Sequence, residues 1–224
     1  MTARDHPETE FAGDGIVTAT SDTRPRSSRL PRHERRRQLL DAALEVFVSQ
    51  GYHAAAMDDI AERAGVSKPV LYQHFPGKLD LYLALLDQSV DELVATVRDA
   101  LESTTDNKQR VAATFTAYFE YVAGEGQAFR LVFESDLSNE AAVRERLERG
   151  QQECAQMISQ MVEQDAGLDD DEARLLSVAM VGLAQVTARY WLTTNRAIPQ
   201  HEAEQLIARL AWRGISGWPM TGQP

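Results

Sequence analysis

Between Ala56 and Lys78 the chain reads AMDDIAERAGVSKPVLYQHFPGK, and this stretch constrains the fold more than any other. Its first part, predicted to be helical over Met57–Arg63, sets Met57, Ile60, Ala61 and Ala64 on one face. Ala56 stands where Ser, Thr or Asp would cap better; Asp58 and Asp59 in the first turn compensate through the helix dipole. Gly65 permits a left-handed turn, and Val66 staples the two segments. A second helix begins at Ser67 or Lys68. Ser67 is the better cap by chemistry, whereas Pro69 disfavours α backbone at Lys68 and would make Lys68 the cap. Leu71 and Phe75, four residues apart, face the core, and Lys68, Tyr72 and Gln73 lie off that face. This is the pattern of a helix-turn-helix whose second helix suits the DNA major groove.

A net charge of −11 conflicts at first sight with a chain that touches phosphates. The distribution removes the conflict. Residues 24–78 hold ten basic against six acidic residues, a net of +4, while residues 1–23 carry −4 and residues 79–224 carry −11. A local basic patch on an acidic body is what a phosphate-binding module needs. No run approaches the ~20 apolar residues of a membrane span, because Arg, Glu or Asp interrupts every long apolar window. Asp5, Glu8, Glu10 and Asp14 leave no room for the apolar region of a signal peptide. A cytoplasmic protein with no membrane partner is expected.

The rest reads as helix. Residues 1–28 are polar and patternless and are expected to be disordered. The basic run TRPRSSRLPR is either a solvated tail or an arm along the DNA. A first helix is predicted over Arg32–Gln50, with Pro31 at its start and Gly51 just past its end. Leu40, Leu44, Phe47 and Val48 form its stripe, widened by Leu39, Ala43 and Val46. Arg35, Arg36 and Arg37 crowd its N-terminal end, where the dipole disfavours them; an outside anion or simple solvation would explain this. After Pro76-Gly77 a long helix is predicted over Lys78–Glu102, with Leu79, Leu83, Leu86, Val90, Leu93 and Val97 in register. Further helices are expected over 108–123, 127–134 and 140–165, then from the cap pair Asp169 and Glu172 to Thr194, and from Pro199 to Ser216. The fold class is all-α, about nine helices.

Gly51-Tyr52, Met57, Ile60-Ala61, Ala64-Gly65-Val66-Ser67, Leu71-Tyr72, His74-Phe75 and Lys78-Leu79 together resemble the TetR family of transcription regulators, with ordered matches over residues 32–85. The resemblance implies an N-terminal three-helix DNA-binding module and a C-terminal helical domain. That second domain binds a small ligand and dimerises through its last two long helices. On this basis the chain divides into a tail (1–28), a DNA-binding domain (29–78), an effector-binding and dimerisation domain (79–218) and a short tail (219–224). The start of the chain, with STTDN (103–107), FRLVFESD (129–136), DAGLD (165–169) and ARYWL (188–192), is similar to the FasR-type branch that regulates fatty-acid synthesis genes. That similarity implies operator binding released by a long-chain acyl-CoA, an effector rather than a cofactor. Ala56 departs from the family's usual Ser or Thr cap, and the N-terminal tail has no counterpart.

Residue roles follow. The resemblance implies that Tyr72, His74 and Lys78 contact phosphates, which positions a protein without reading sequence. Lys68 and Gln73 have the chemistry to reach guanine and adenine edges, and Val70 to touch a thymine methyl. Arg32 and Arg36 complete the candidate DNA contacts. Phe115, Tyr118, Phe119, Val122, Phe129, Phe133, Met157 and Met161 either line an effector cavity or form plain core. Arg130 and Arg144 are candidates for the effector's phosphates. Homodimerisation is assigned to the last two helices. There Ala179, Gly182 and Ala184 allow close approach, and Val178, Val181, Leu183, Trp191, Leu206, Leu210 and Trp212 offer apolar area that an internal core would share.

Cys154, the one cysteine, lacks basic neighbours and any zinc spacing, so it reads as a core or interface residue and no metal is expected. The five histidines are scattered, and no HExxH, GxSxG or P-loop spacing points to an enzyme. The competing reading is a TetR-type repressor of an efflux or catabolic operon that responds to another hydrophobic molecule. Operator sequence and the sign of regulation stay open.

Overall fold

A computed structural model describes residues 30–124, 137, 139–194 and 196–214. Among these the chain forms eight helices and no strand: α1 Arg32–Gln50, α2 Met57–Arg63, α3 Lys68–His74, α4 Lys78–Glu102, α5 Asn107–Ala123, α6 Ala141–Ala166, α7 Asp170–Thr193 and α8 Gln200–Arg213. The predicted helix over 127–134, the basic arm up to Arg29 and the residues beyond Gly214 lie outside the described residues.

Local chemistry fixes the module's bends. Gly51 and Gly65 take positive φ, +77° and +64°, where a Cβ would be strained. After α2, Val66 N donates to Ala61 O at 3.0 Å and closes the helix end. Gln38 of α1 then donates to Ala64 O at 2.8 Å, holding that turn from outside. Ser67 is the N-cap residue of α3 in extended conformation, with Lys68 inside the helix. Lys68 is therefore not the cap, and Pro69 takes the second helical position, where its missing N–H leaves nothing unpaired. The Ser67 side chain makes no cap bond.

Packing rotates two predicted stripes. In α1 the buried set is Leu39, Leu40, Ala42, Ala43, Val46 and Phe47, with Leu44 and Val48 half-buried. In α4, Leu81, Tyr82 and Leu85 are buried in place of Leu79 and Leu83. The cause is α1, against which the start of α4 packs. Tyr82 meets Phe47 and Tyr52 edge-on, at 5.4 and 5.2 Å between ring centroids. Beyond that cluster α4 is built as predicted, burying Leu86, Val90, Leu93 and Val97.

The C-terminal helices pack as a bundle in which α4 touches α5 and α6, α5 touches α7 and α8, and α6 touches α7. Asp106 caps α5 by accepting from Gln109 N at 2.8 Å. Asp169 and Glu172 form the expected reciprocal cap of α7. Arg110 gathers three helix ends. It donates to Leu101 O at the end of α4, to Asn107 Oδ1 in its own first turn and to Asp165 Oδ2 near the end of α6. By length and composition α7 is apolar enough to cross a membrane, and the interrupting charge expected in every long apolar window is here a single one, Arg189 within Leu175–Leu192. A helix apolar on most sides has several faces to cover.

Candidate nucleic-acid interface and internal cavity

The outward face of α3 is open. Lys68, Tyr72 and Gln73 are exposed, Val70 and His74 are half-buried, and Leu71 and Phe75 anchor the helix in the core. Arg36 lies over the Phe75 ring, 4.5 Å from its centroid. This contact ties the basic end of α1 to the end of α3. Arg32 is exposed at the start of α1. His74 feels this basic surface. Burial, and then Arg32, Arg36 and Arg35, hold its imidazole below the usual histidine range. Lys68 pairs with Asp58 of α2 at 2.5 Å, and hydrogen bonding to that carboxylate raises its pKa. Arg63 pairs with Glu45, locking α2 to α1.

Lys78 is placed otherwise than the sequence reading had it. Its ammonium donates to Tyr52 O, His53 O and Ala55 O at 2.7, 3.2 and 2.8 Å, and sits 4.5 Å from the Tyr52 ring centroid. An ammonium has three protons, and all three are used. Lys78 secures the loop before α2 instead of offering a free donor to phosphate. Gln38, Asp58 and Glu45, which organise the module through side chains, escaped the sequence reading because their partners lie far along the chain or across a turn.

The C-terminal body holds a cavity of about 310 Å³. Its buried wall is Val90, Leu93 and Val97 of α4, Phe115 and Tyr118 of α5, and Gly150 and Cys154 of α6. The exposed residues Gln151, Val186 and Arg189 mark its open side. Of the predicted lining residues, Phe115 and Tyr118 are present. Phe119 and Val122 belong to the core instead, with Phe119 packed 5.6 Å from Trp191. Met157 and Met161 also miss the cavity wall, packing half-buried against the core while Leu147, Cys154 and Ile158 of the same helix face the cavity. The α6 stripe is thus rotated by about one residue, roughly 100°. Phe129, Phe133 and Arg130 lie outside the described residues; Arg144 is exposed and pairs with Glu148. Met180, Val181, Ala184 and Gln185 of α7 complete the lining.

Two features of the wall stand out. Gly150 brings α6 against α4 so closely that a Cβ there would lie 2.6 Å from Val90 Cγ1. Tyr118 is buried, and its hydroxyl has no hydrogen-bond partner among the described residues. On the outside, α7 exposes Leu175, Leu176, Val178, Val186 and Tyr190, and α8 exposes Leu206 and Trp212. Trp191, which the sequence leaves open between dimer surface and internal core, is core; its Nε1 donates to Ile198 O at 2.8 Å. Val181 and Ala184 turn toward the cavity.

Residues 39–85 match the model described as bacterial regulatory proteins, tetR family, and residues 107–214 match that of a tetracyclin repressor-like C-terminal domain. Over 196 residues the chain is 47% identical to the HTH-type transcriptional activator FasR of Mycolicibacterium smegmatis, covering 88% of this chain and 90% of that one. A TetR-like transcriptional regulator from Rhodococcus sp. RHA1 superposes with a TM-score of 0.67 at 25% identity, over 85% of this chain and all of that one. FadR from Bacillus subtilis, solved in complex with stearoyl-CoA, superposes with a TM-score of 0.66 at 21% identity, over 80% and 98%. At that identity the likeness concerns the fold.

Proposed function

Because this chain belongs to the TetR family and is a DNA-binding transcriptional regulator, we propose that it controls fatty-acid biosynthesis genes and leaves its operator when a long-chain acyl-CoA enters the cavity. The observation that carries this reading is the cavity itself. It is largely apolar, and α4, which continues directly from the DNA module, forms one wall. The similarity to FasR supports the fatty-acid role, and FadR, which shares this fold, was solved in complex with stearoyl-CoA.

Each buried methylene of an acyl chain contributes about 0.8 kcal/mol. At about 310 Å³ the cavity is at the small end of ligand sites, with room for a chain segment and not for a nucleotide. The nucleotide then lies outside. Two copies pair through the exposed faces of α7 and α8, which sets the spacing of two recognition helices on half-sites about 34–36 Å apart. Tyr72, His74, Arg32 and Arg36 hold phosphates, Lys68, Val70 and Gln73 read bases, and Lys78 positions the module. Ligand in the cavity drives α4 and α6 apart at the tight contact between Val90 and Gly150. Because a ligand acts only through its different affinity for two states, about 1–3 kcal/mol of coupling is required.

The test begins by enriching bound operator from a random DNA pool. Hexadecanoyl-CoA is then titrated into the complex in a gel shift, and release is expected. Retention at saturating acyl-CoA sinks the effector reading. A thermal-shift comparison of acyl-CoAs with hydrophobic drugs decides against, or for, an efflux or catabolic repressor.

A further inference from the structure

At the exposed start of α3, Lys68 pairs with Asp58 of α2 at 2.5 Å, and both side chains are more than half exposed. A surface ion pair of this kind contributes little to stability, and Arg63 with Glu45 already ties α2 to α1. The pair matters instead at the reading surface. Lys68 is the one lysine or arginine of α3, and Asp58 cancels its charge. A neutral pair gains little from phosphates, which reward net positive charge. What it keeps is direction. An ammonium has three protons; with one on Asp58, two remain. The carboxylate keeps free lone pairs beside them.

In the major groove a G·C pair presents the complementary array: acceptors at guanine N7 and O6, then a donor at cytosine N4. O6 and N4 are hydrogen-bonded to each other and so lie about 2.9 Å apart. Lys68 Nζ and Asp58 Oδ2, at 2.5 Å, match that spacing. A T·A pair offers the same acceptor and donor, but a methyl group in place of the second acceptor. We propose that Lys68 and Asp58 read one G·C pair per half-site as a unit, Lys68 Nζ donating to guanine O6 and N7 while Asp58 accepts from cytosine N4. This rests on the placement of Lys68 at base edges given above. It makes Asp58 a specificity residue and commits the pair to one base pair. Asp59, the next residue, borders the groove toward α1 beside Glu45 and Arg63 and takes no part.

The test enriches bound DNA from a random pool with the full chain, then exchanges each base pair of the operator in turn. At one position of each half-site G·C is expected to be preferred over T·A by about tenfold. Lys68→Met and Asp58→Ala should both reduce that preference, at that same position, to within about twofold. Asp59→Ala, which removes the neighbouring first-turn carboxylate, should keep it. Asp58→Ala is expected to stay folded, because the side chain is exposed. It should also bind random DNA about threefold more tightly and with a steeper salt dependence, since the freed ammonium turns to phosphate. A preference that survives Asp58→Ala but not Lys68→Met leaves Asp58 a mere surface partner and overturns the proposal. So does a natural operator with no G·C pair that responds to either variant. Lys68→Met that keeps every preference of the natural chain removes Lys68 itself from the bases, and the earlier placement falls with it.

Discussion

The DNA module and the C-terminal body treat their polar and apolar groups in opposite ways. In the module, what is polar and inward is satisfied: Lys78 caps three carbonyls and Gln38 holds the turn at Ala64. What is left over faces outward on α3. In the body, the Tyr118 hydroxyl is buried without a partner among the described residues, and large apolar side chains such as Leu175 and Tyr190 stand 72% and 70% exposed. The module is complete as it stands and presents a fixed surface. The body leaves these groups unmatched among the described residues, and under the proposed function a ligand would fill its cavity and a second copy would cover its exposed face. A regulator needs this division, because the part that reads DNA must be stiff and the part that senses must have two states.

The strongest challenge to that division is to charge the open face of α7. Leu175→Arg with Tyr190→Glu should leave the protomer folded, since both side chains are exposed. Sedimentation should show monomers, and operator affinity should fall on the order of 100-fold as paired binding is lost. A double variant that stays dimeric with full affinity removes the proposed interface. Next comes a contrast within the module. Lys78→Met should cost about 2 kcal/mol of stability, lowering the melting temperature by about 4–8 °C while operator affinity well below that temperature changes little. Tyr72→Phe should do the reverse, leaving stability intact and weakening specific and random DNA alike by about tenfold per dimer. An exchange of these two outcomes would mean that Lys78 touches DNA after all.

Gly150→Ala probes the seam between the two regions. Alanine favours helix, yet its Cβ meets Val90, a β-branched side chain with little freedom to move. The expected result is a loss of about 1–3 kcal/mol together with weaker operator binding in the absence of ligand. Val90→Ala in the same chain should restore both, and failure to do so would separate this contact from DNA affinity. The smallest effect concerns pH. His74 is held low in the free protein by burial and by Arg32, Arg36 and Arg35, and a bound phosphate would raise it. A group raised on binding strengthens the complex fully below its free value and not at all above its bound value. Operator affinity should therefore increase modestly from about pH 8 to about pH 6, and His74→Asn should flatten the profile.

The sequence carried most of the module, because a helix-turn-helix is written in neighbours. Gly65, the pair Leu71 and Phe75, and Pro76-Gly77 set its turns and ends within a few residues of where they act. The carbonyl bonds of Lys78 are not legible in the sequence because its partners lie 23–26 residues away, at a place no local pattern marks. The cavity was less legible. Met157 and Met161 follow helical spacing as well as Cys154 and Ile158 do, and only the position of α4 and α7 decides which pair faces the void. In α7 periodicity gives almost no guidance. Val181 faces the cavity, Trp191 the core and Leu175 the outside, and all three are apolar. Tyr118 was found for its ring, whereas the burial of its oxygen depends on what surrounds it in space.

Arg110 gives the long helix an unequal anchorage. Its guanidinium grips the last turn of α4 at Leu101 and, through Asp165, the end of α6. Val90 lies about 16 Å from that grip along the helix axis, and Lys78 about 34 Å. A rod turned about one end magnifies what is done near its middle. If α4 turns about Leu101, a push of roughly 1 Å at Val90 becomes about 2 Å at Lys78, and more at the tip of α3. With two such rods per dimer, each carrying a reading head, such a turn in one protomer would carry its head out of register with the other on one turn of DNA.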